Sequence, residues 1–251
     1  MNFAFWLVVL SCITGVIYLL DILFWAKKRA PEQKPGRIIE YSRSFFPVFF
    51  IVLILRSFLV EPFRIPSGSL EPTLLVGDFL AVNKFIYGLR LPVIEKKIIP
   101  ISNPKTGDII VFRWPPDPSF DYIKRVIGVP GDNVVYHNKV LSINGKEMTR
   151  TFIGYTTDES SGKAVAKYHE NLQGTEHDIF VRPDVPAVDF NVVVPPGQYF
   201  VMGDNRDDSA DSRFWGFVAD EFVRGKAFLL WMSWNGQIDA VRWSRIGHIL
   251  G

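Results

Sequence analysis

The sequence predicts a mainly β protein: an antiparallel-sheet domain in the form of a partly closed barrel or sandwich, with an inserted β subdomain, preceded by two transmembrane helices. Three observations support this fold class. The 251 residues are 48% hydrophobic, which is enough for a full core. The long apolar runs lie in residues 1–60, which we expect to form a membrane anchor. The remainder contains short segments rich in Val, Ile, Phe and Tyr between Gly or Pro residues, as is typical of strands.

The first predicted helix covers about residues 3–25. Phe3–Leu20 carries no charge, and Asp21 is the only ionised residue between there and Trp25. Eighteen helical residues span about 27 Å, close to the hydrocarbon core of a bilayer. A cleaved signal peptide is the alternative, but its basic residues precede the apolar run, whereas here they follow it at residues 27–29. We therefore expect a retained transmembrane helix.

The second predicted helix covers about residues 44–60. It contains Pro47 and Arg56, so a buried core helix is the alternative. An arginine near a helix end can extend its charge to the headgroups, which allows a membrane span. The intervening segment 26–43 holds six basic and two acidic residues. A short loop with this excess is expected in the cytoplasm, which places the amino terminus and everything after residue 60 outside.

The charge balance argues against a nucleic-acid partner. The chain has 28 basic and 26 acidic residues, but seven of the basic and only three of the acidic ones lie in residues 1–60. The domain after residue 60 is therefore slightly acidic and has no basic patch for DNA or RNA. The one cysteine, Cys12, lies in the first apolar run, which excludes a disulfide, a cysteine nucleophile or a thiolate metal site in that domain. No metal or cofactor is predicted.

The domain after residue 60 is expected to consist of a catalytic β core, residues 61–132 and 193–251, and an inserted subdomain, residues 133–192. The predicted core strands are Asp78–Ile86, Asp108–Arg113, Ile123–Val129, Tyr199–Met202 and Ala227–Met232. In the insertion, Asn144-Gly145 indicates a two-residue hairpin, and residues 158–162 indicate an exposed loop. The lack of long amphipathic helices between the strands favours antiparallel pairing.

A candidate nucleophile lies directly after the second apolar run, in the segment 66–74 (PSGSLEPTL). Ser69 stands in a turn that Gly68 opens and that a proline stiffens on either side. A hydrolytic serine needs exposure, a base and donors for the oxyanion, and the Ser69 amide and the Ser67 hydroxyl are candidate donors. For this segment alone, a serine-rich turn without chemistry is the alternative.

A candidate base lies in the segment 121–125 (DYIKR), where Lys124 has Ile123 before it and Val126-Ile127 just after it. A lysine acts as a base near neutral pH only when its pKa is lowered by about 2–3 units, and burial has this effect. Alternatively, Lys124 and Arg125 alternate across a strand and one of them lies in solvent. Both interpretations place Lys124 in a strand. They differ in whether its side chain faces the protein interior or the solvent.

A third segment, residues 203–213 (GDNRDDSADSR), follows a predicted strand and is dense in charges and hydroxyl groups. An EF-hand calcium loop would need an oxygen ligand where Arg206 stands and glycine where Ser209 stands, so calcium is disfavoured. A structural turn held by Asp211 and Arg213 is favoured, with Ser209 free to hydrogen-bond an inward-facing lysine.

These three segments, in this order behind two apolar runs, resemble bacterial type I signal peptidase (leader peptidase), a family with a serine–lysine dyad. The resemblance covers Ser44–Ile65 into the nucleophile turn, Gly107–Arg113, Asp121–Asp132, Pro196–Val218 and, weakly, Trp231–Gly247. It implies the following roles: Ser69 as nucleophile, Lys124 as general base, Ser67 as oxyanion donor, Ser209 as the residue that orients Lys124, Asp211 and Arg213 as a supporting ion pair, and Gly203 as the space beside the lysine.

The resemblance also implies shallow pockets for small side chains, lined by Ile65, Pro66, Leu74 and Ile123. Leu70 stands where the family often has Met. Because the two side chains are similar in volume, this departure concerns pocket shape rather than activity. Residues 133–192 match poorly, and no site residue is predicted there.

The function implied is that of a membrane-bound serine endopeptidase that removes signal peptides from exported preproteins after small residues (A-x-A type). The expected location is the inner membrane, with two spans and the catalytic domain on the outer, periplasmic face. Expected partners are preprotein signal peptides and the phospholipid membrane, and the enzyme is expected to be a monomer. An extended substrate is expected to add as a strand to a sheet edge.

Three alternatives stay open. A self-cleaving serine–lysine peptidase would share the dyad, but the two apolar runs argue against a soluble protein of that kind. A histidine-dependent serine hydrolase is possible on composition, although none of the four histidines lies in a triad motif. A non-catalytic, membrane-anchored module that holds extended peptides would look much the same apart from Ser69 and Lys124.

Overall fold

The computed structural model describes residues 3–29, 33–55, 60–91 and 96–250. The helices are α1 (Phe3–Leu20), α2 (Arg37–Ile54) and α3 (Ser212–Trp215). The strands, in chain order, are β1 (Val60–Arg64), β2 (Asp78–Asn83), β3 (Gly88–Arg90), β4 (Lys97–Pro100), β5 (Ile109–Arg113), β6 (Asp121–Gly128), β7 (Asn133–His137), β8 (Val140–Ile143), β9 (Lys146–Glu147), β10 (Thr149–Thr157), β11 (Ala164–Leu172), β12 (Thr175–Val181), β13 (Phe190–Val193), β14 (Gln198–Met202), β15 (Val218–Ala219), β16 (Val223–Asn235), β17 (Ala240–Val241) and β18 (His248–Ile249).

The chain divides into two compact units, Met1–Glu61 with Gly88–Ile101, and Pro62–Tyr87 with Ser102–Gly251. In the first unit, α1 continues through a π turn and a 3-10 turn to Lys28. The resulting helical segment Phe5–Lys28 is long and apolar enough to cross a membrane. Its buried Asp21 forms an ion pair with Arg29 at 2.5 Å, which offsets the one acidic charge in the segment.

The prediction of a second transmembrane helix is wrong. α2 begins at Arg37 and carries three charged residues in its first two turns. Among the described helices, only Phe5–Lys28 meets the length and hydropathy of a span. The physical reason is length, because the uncharged residues 44–55 extend only about 18 Å as a helix, against about 30 Å of hydrocarbon. Arg56 and the rest of the predicted helix up to residue 59 lie outside the described residues.

The second unit is built on a large antiparallel sheet with the strand order β1-β2-β16-β5-β6-β14-β15, in which β17 and β18 also pair with β16. Mainly antiparallel β structure was predicted, and strands β2, β5, β6, β14 and β16 overlap the predicted core strands. The prediction of a partly closed barrel is wrong, since the sheet is open. Its last strand, β15, contains only two residues, and both pair with β14.

Residues 133–193 form two smaller sheets, β10-β11-β12 and β13-β7-β8-β9. The predicted hairpin at Asn144-Gly145 is confirmed: the two residues have φ angles of 53° and 75° and connect β8 to β9. Two positive φ angles are the signature of a type I′ turn, which matches the twist of the flanking strands.

The hydrophobic core fixes the position of the segment that carries Ser69. Ile65, Leu70 and Leu74 are almost completely buried in one core cluster with Leu80 and Leu230, from β2 and β16. Burying a leucine or isoleucine side chain contributes about 1.5–3 kcal/mol, so the turn is anchored on both sides of the serine.

Candidate active site

Ser69 and Lys124 lie in direct contact. Ser69 stands in the one-turn 3-10 helix Gly68–Leu70, shortly after β1, and Lys124 stands in β6. Lys124 Nζ lies 2.5 Å from Ser69 Oγ, although 55 positions separate the two residues in the chain. The amine is buried, with 4% of the residue exposed, and Ser69 is 9% exposed. A hydroxyl and an amine at this distance can exchange a proton directly.

Burial lowers the pKa of Lys124 from its usual value to about 8. The carboxylates of Asp211 and Asp204 oppose this shift, and the charge of Arg213 adds to it. Removal of water from the ammonium group is the dominant cause because it disfavours the charged form. The amine is therefore half neutral near pH 8, which a general base requires.

Both basic residues of β6 are buried, so the alternative in which Lys124 or Arg125 lies in solvent does not hold. Arg125 is 2% exposed and forms a bidentate ion pair with Asp204. Its Nε lies 2.8 Å from Oδ1 of Asp204, and its Nη2 lies 2.7 Å from Oδ2. Its Nη1 donates to the carbonyl oxygen of Gly107. Successive side chains of a strand point to opposite faces, so this pairing leaves Lys124 to face Ser69.

The predicted ion pair between Asp211 and Arg213 is present, with nitrogen–oxygen distances of 2.8 Å to both carboxylate oxygens. Asp211 also accepts a hydrogen bond from the Gly203 amide at 3.0 Å. Gly203 lies against the nucleophile turn, because a Cβ atom there would come within 2.3 Å of the Ser69 carbonyl oxygen and 2.4 Å of Ser209 Oγ. Only glycine fits at this approach.

The other two predicted serines are placed differently. Ser209 is buried beside Gly203, but its hydroxyl has no hydrogen-bond partner among the described residues, so the expected bond to Lys124 is not formed. Ser67 is exposed and lines the cleft next to Ser69.

The serine and the amine open into a cleft of about 570 Å³. Of the four residues expected to line substrate pockets, Pro66 and Ile123 line this cleft. Ile65 and Leu74 do not: they are buried in the core cluster, and Ile123 packs against that cluster. Tyr122, which the sequence did not single out, also lines the cleft, with its ring centroid 5.8 Å from Lys124 Nζ.

The sequence missed a set of polar residues around the nucleophile turn. Asp158 was expected in an exposed loop, but it is only 1% exposed and accepts a hydrogen bond from the side chain of Asn205 at 2.7 Å. Glu71, two positions after Ser69, is equally buried and accepts bonds from the backbone of the same loop. The expectation of an exposed loop is therefore wrong at Asp158. The only local signal was the spacing of Asp158 and Ser160, which suits an Asx turn.

No group of three or more His, Cys, Asp and Glu that could hold a metal ion occurs within the described ranges. Two residues of the calcium pattern in segment 203–213 are instead engaged in buried ion pairs, Asp204 with Arg125 and Arg206 with Glu170.

Comparisons with known proteins agree on one family. A family model described as signal peptidase, peptidase S26, matches residues 38–234. The chain is 45% identical to a signal peptidase I from Pseudomonas fluorescens and 43% identical to one from Pseudomonas aeruginosa, in each case over 93% of this chain and 93% of the relative. It is 38% identical to a signal peptidase I from Buchnera aphidicola, over 90% of this chain and 86% of the relative.

Proposed function

The chain belongs to the signal peptidase family, peptidase S26, and we propose that this peptidase removes signal peptides from preproteins with Ser69 as nucleophile and Lys124 as general base. The observation that carries the proposal is the 2.5 Å contact between Ser69 Oγ and a buried amine whose pKa is lowered to about 8. No histidine lines the cleft around Ser69, which argues against a histidine base at this site within the described residues.

In the proposed first step, neutral Lys124 takes the proton of Ser69 Oγ while the oxygen attacks the carbonyl carbon of the scissile bond. The oxyanion is stabilised by the Ser69 amide and the Ser67 hydroxyl. The carbon–nitrogen bond then breaks, and Lys124 transfers its proton to the leaving amine. Water, deprotonated by Lys124, hydrolyses the acyl-serine ester and restores the hydroxyl.

The cleft supports binding of an extended peptide. β14 pairs with β6 only from Arg125 onward, whereas β5 pairs with β6 from Asp121. On the β14 side, residues 122–124 therefore have no strand neighbour among the described residues. A substrate strand added there would bring its backbone past Lys124 and Ser69, with alternate side chains directed into the cleft.

Substitution of either member of the dyad is expected to abolish cleavage of a preprotein in detergent. Ser69→Ala removes the nucleophile and Lys124→Ala removes the base, so each is expected to lower kcat by about 10⁴-fold or more. Matched controls on exposed side chains, Ser119→Ala and Lys146→Ala, should keep full activity. Undiminished cleavage by Lys124→Ala, with the fold intact by circular dichroism, would end the dyad hypothesis.

The pH dependence of kcat/KM should follow the deprotonation of the Lys124 amine. With a pKa of about 8, the neutral fraction of Lys124 rises from about 1% at pH 6 to about half at pH 8, so kcat/KM should rise by at least about 25-fold over this range. Initial rates on one preprotein in a constant-ionic-strength buffer series measure this. A flat profile between pH 6 and 8, with acylation rate-limiting, contradicts Lys124 as the base.

We propose that the enzyme selects small side chains at the first and third positions before the scissile bond. Pro66 and Ile123 narrow the cleft beside the dyad, and a bulky side chain there would have to displace them. Leucine in place of alanine at either position should lower kcat/KM by about 10–100-fold, whereas leucine at the second position should change it less than about threefold. Equal cleavage of all three substrates would refute the proposed selectivity.

We further propose that the catalytic unit faces the outer side of the inner membrane. The basis is the proposed substrate, because exported preproteins carry their signal peptides to that side. With Phe5–Lys28 as the single span found in the described residues, this orientation places the amino terminus in the cytoplasm and the basic segment 26–43 outside, against the positive-inside preference. Protease added outside spheroplasts should then digest the chain after residue 60. Protection of that part of the chain, with digestion only after lysis, would place it in the cytoplasm and contradict this orientation.

A further inference from the structure

The loop of residues 158–162, which connects β10 to β11, lies directly on the nucleophile turn. A Cβ atom added to Gly68 would come within 2.0 Å of Ser160 Oγ, so the loop and the turn are in van der Waals contact. Ser160 lines the cleft that contains Ser69 and Lys124. It also lines a second cleft of about 380 Å³, which shares Pro66, Ser67 and Gly68 with the first. The loop therefore borders both clefts.

Asp158 orients the side chain that holds the backbone of the turn. Asn205 Nδ2 donates to Asp158 Oδ2 at 2.7 Å and to the Gly68 carbonyl oxygen at 3.2 Å, and the Asn205 amide donates to the Ser69 carbonyl oxygen at 3.2 Å. The other carboxylate oxygen of Asp158 accepts three bonds, from the amide and hydroxyl of Ser160 and the amide of Ser161. Both carboxylate oxygens of Asp158 face donors, so the NH2 group of a neutral amide would face a donor in either orientation.

Glu71 ties the same loop to the turn from the other end. One of its oxygens accepts hydrogen bonds from the amides of Glu159, at 3.1 Å, and Ser160, at 3.4 Å. The Ser160 amide also donates to Asp158 Oδ1, so the two carboxyl groups are close neighbours. The other oxygen of Glu71, Oε1, is buried without a hydrogen-bond partner among the described residues. Two carboxyl groups therefore hold the turn that carries Ser69: Asp158 acts through Asn205, and Glu71 acts through loop 158–162. We call this set of contacts the clamp.

We propose that Asp158 and Glu71 are positioning residues of the active site: they fix loop 158–162 and Asn205 against the carbonyl groups of Gly68 and Ser69, and so keep the Ser69 hydroxyl in contact with Lys124. The inserted subdomain thereby contributes to catalysis without touching the substrate's reacting atoms. The inference rests on the proposed function, because it assumes that Ser69 is the nucleophile.

The clamp is sensitive to pH. Burial and the neighbouring Asp158 raise the pKa of Glu71 to about 8, while Asp158, although burial opposes this, has its pKa lowered by the neighbouring Glu71 and by the bonds from Ser160 and Asn205. Other charged groups beside Glu71 are Glu159 and Arg242, which pair with each other. Below pH 8 Glu71 keeps its proton, and above pH 8 two carboxylates face each other and repel. The clamp therefore loosens as pH rises.

The test is steady-state kinetics of the full chain in detergent on one preprotein, from pH 6 to 9.5, with Glu71→Gln and Asp158→Asn. Glutamine is uncharged, as the protonated acid is, so Glu71→Gln should retain kcat within about twofold at pH 7. At pH 9, where about a tenth of Glu71 stays protonated, it should exceed the wild-type kcat by about tenfold. Asp158→Asn should lower kcat by about 10–100-fold at every pH, with KM changed less than twofold.

Matched controls are Glu176→Gln and Asp184→Asn, which alter exposed carboxylates of the insertion, 64% and 65% exposed, outside the clamp. Both should reproduce the wild-type pH profile. The Glu71→Gln profile keeps the test decisive even if Asp158→Asn lowers the melting temperature, because a purely structural role of Glu71 would not change the limb above pH 8. If both clamp variants behave like the controls while Ser69→Ala is inactive, the clamp is refuted and the dyad stands. If Ser69→Ala still cleaves, the proposed function itself fails.

Discussion

The buried ion pair between Arg125 and Asp204 is the constraint on which the site depends. It joins β6 to the segment after β14, and Thr73 joins the same carboxylate at 2.5 Å, so all three sequence motifs meet at one point. A buried charge without its partner costs about 3–5 kcal/mol, which makes this arrangement strongly preferred over any other register. With Arg125 fixed on one face of β6, strand geometry directs Lys124 to the opposite face, against Ser69.

Burial shifts the pKa values of two further groups near Ser69 in opposite directions. It lowers the pKa of Lys124 and raises that of Glu71, each to about 8. In both cases the neutral form is favoured, because water is removed from the charged one. Near neutral pH part of the lysine is therefore in the form that can accept a proton, while the glutamic acid keeps its proton.

Much of the β fold and the centre of the site could be predicted from the sequence, because local patterns carried them. Short Val- and Ile-rich segments between glycines gave strands β5 and β6, and Asn144-Gly145 gave a hairpin through its two positive φ angles. The number of membrane-spanning helices was overestimated for a physical reason. An apolar run predicts a helix well, but whether that helix spans depends on where its charged end begins, and α2 starts at Arg37.

The sequence did not predict the residues that we propose to position Ser69, namely Asp158 and Glu71. A proton transfer from serine restricts the choice of base to a few residue types, so Lys124 stands out in a short segment. Holding a turn requires only some acceptor opposite some donor, and Asp158 with Asn205 is one solution among many. Those two residues lie 47 positions apart, in a polar loop whose composition suits solvent equally well. Candidate catalytic groups can therefore be recognised from residue type, whereas the residues proposed to hold them in place become visible only when folding brings distant polar groups together in a buried place.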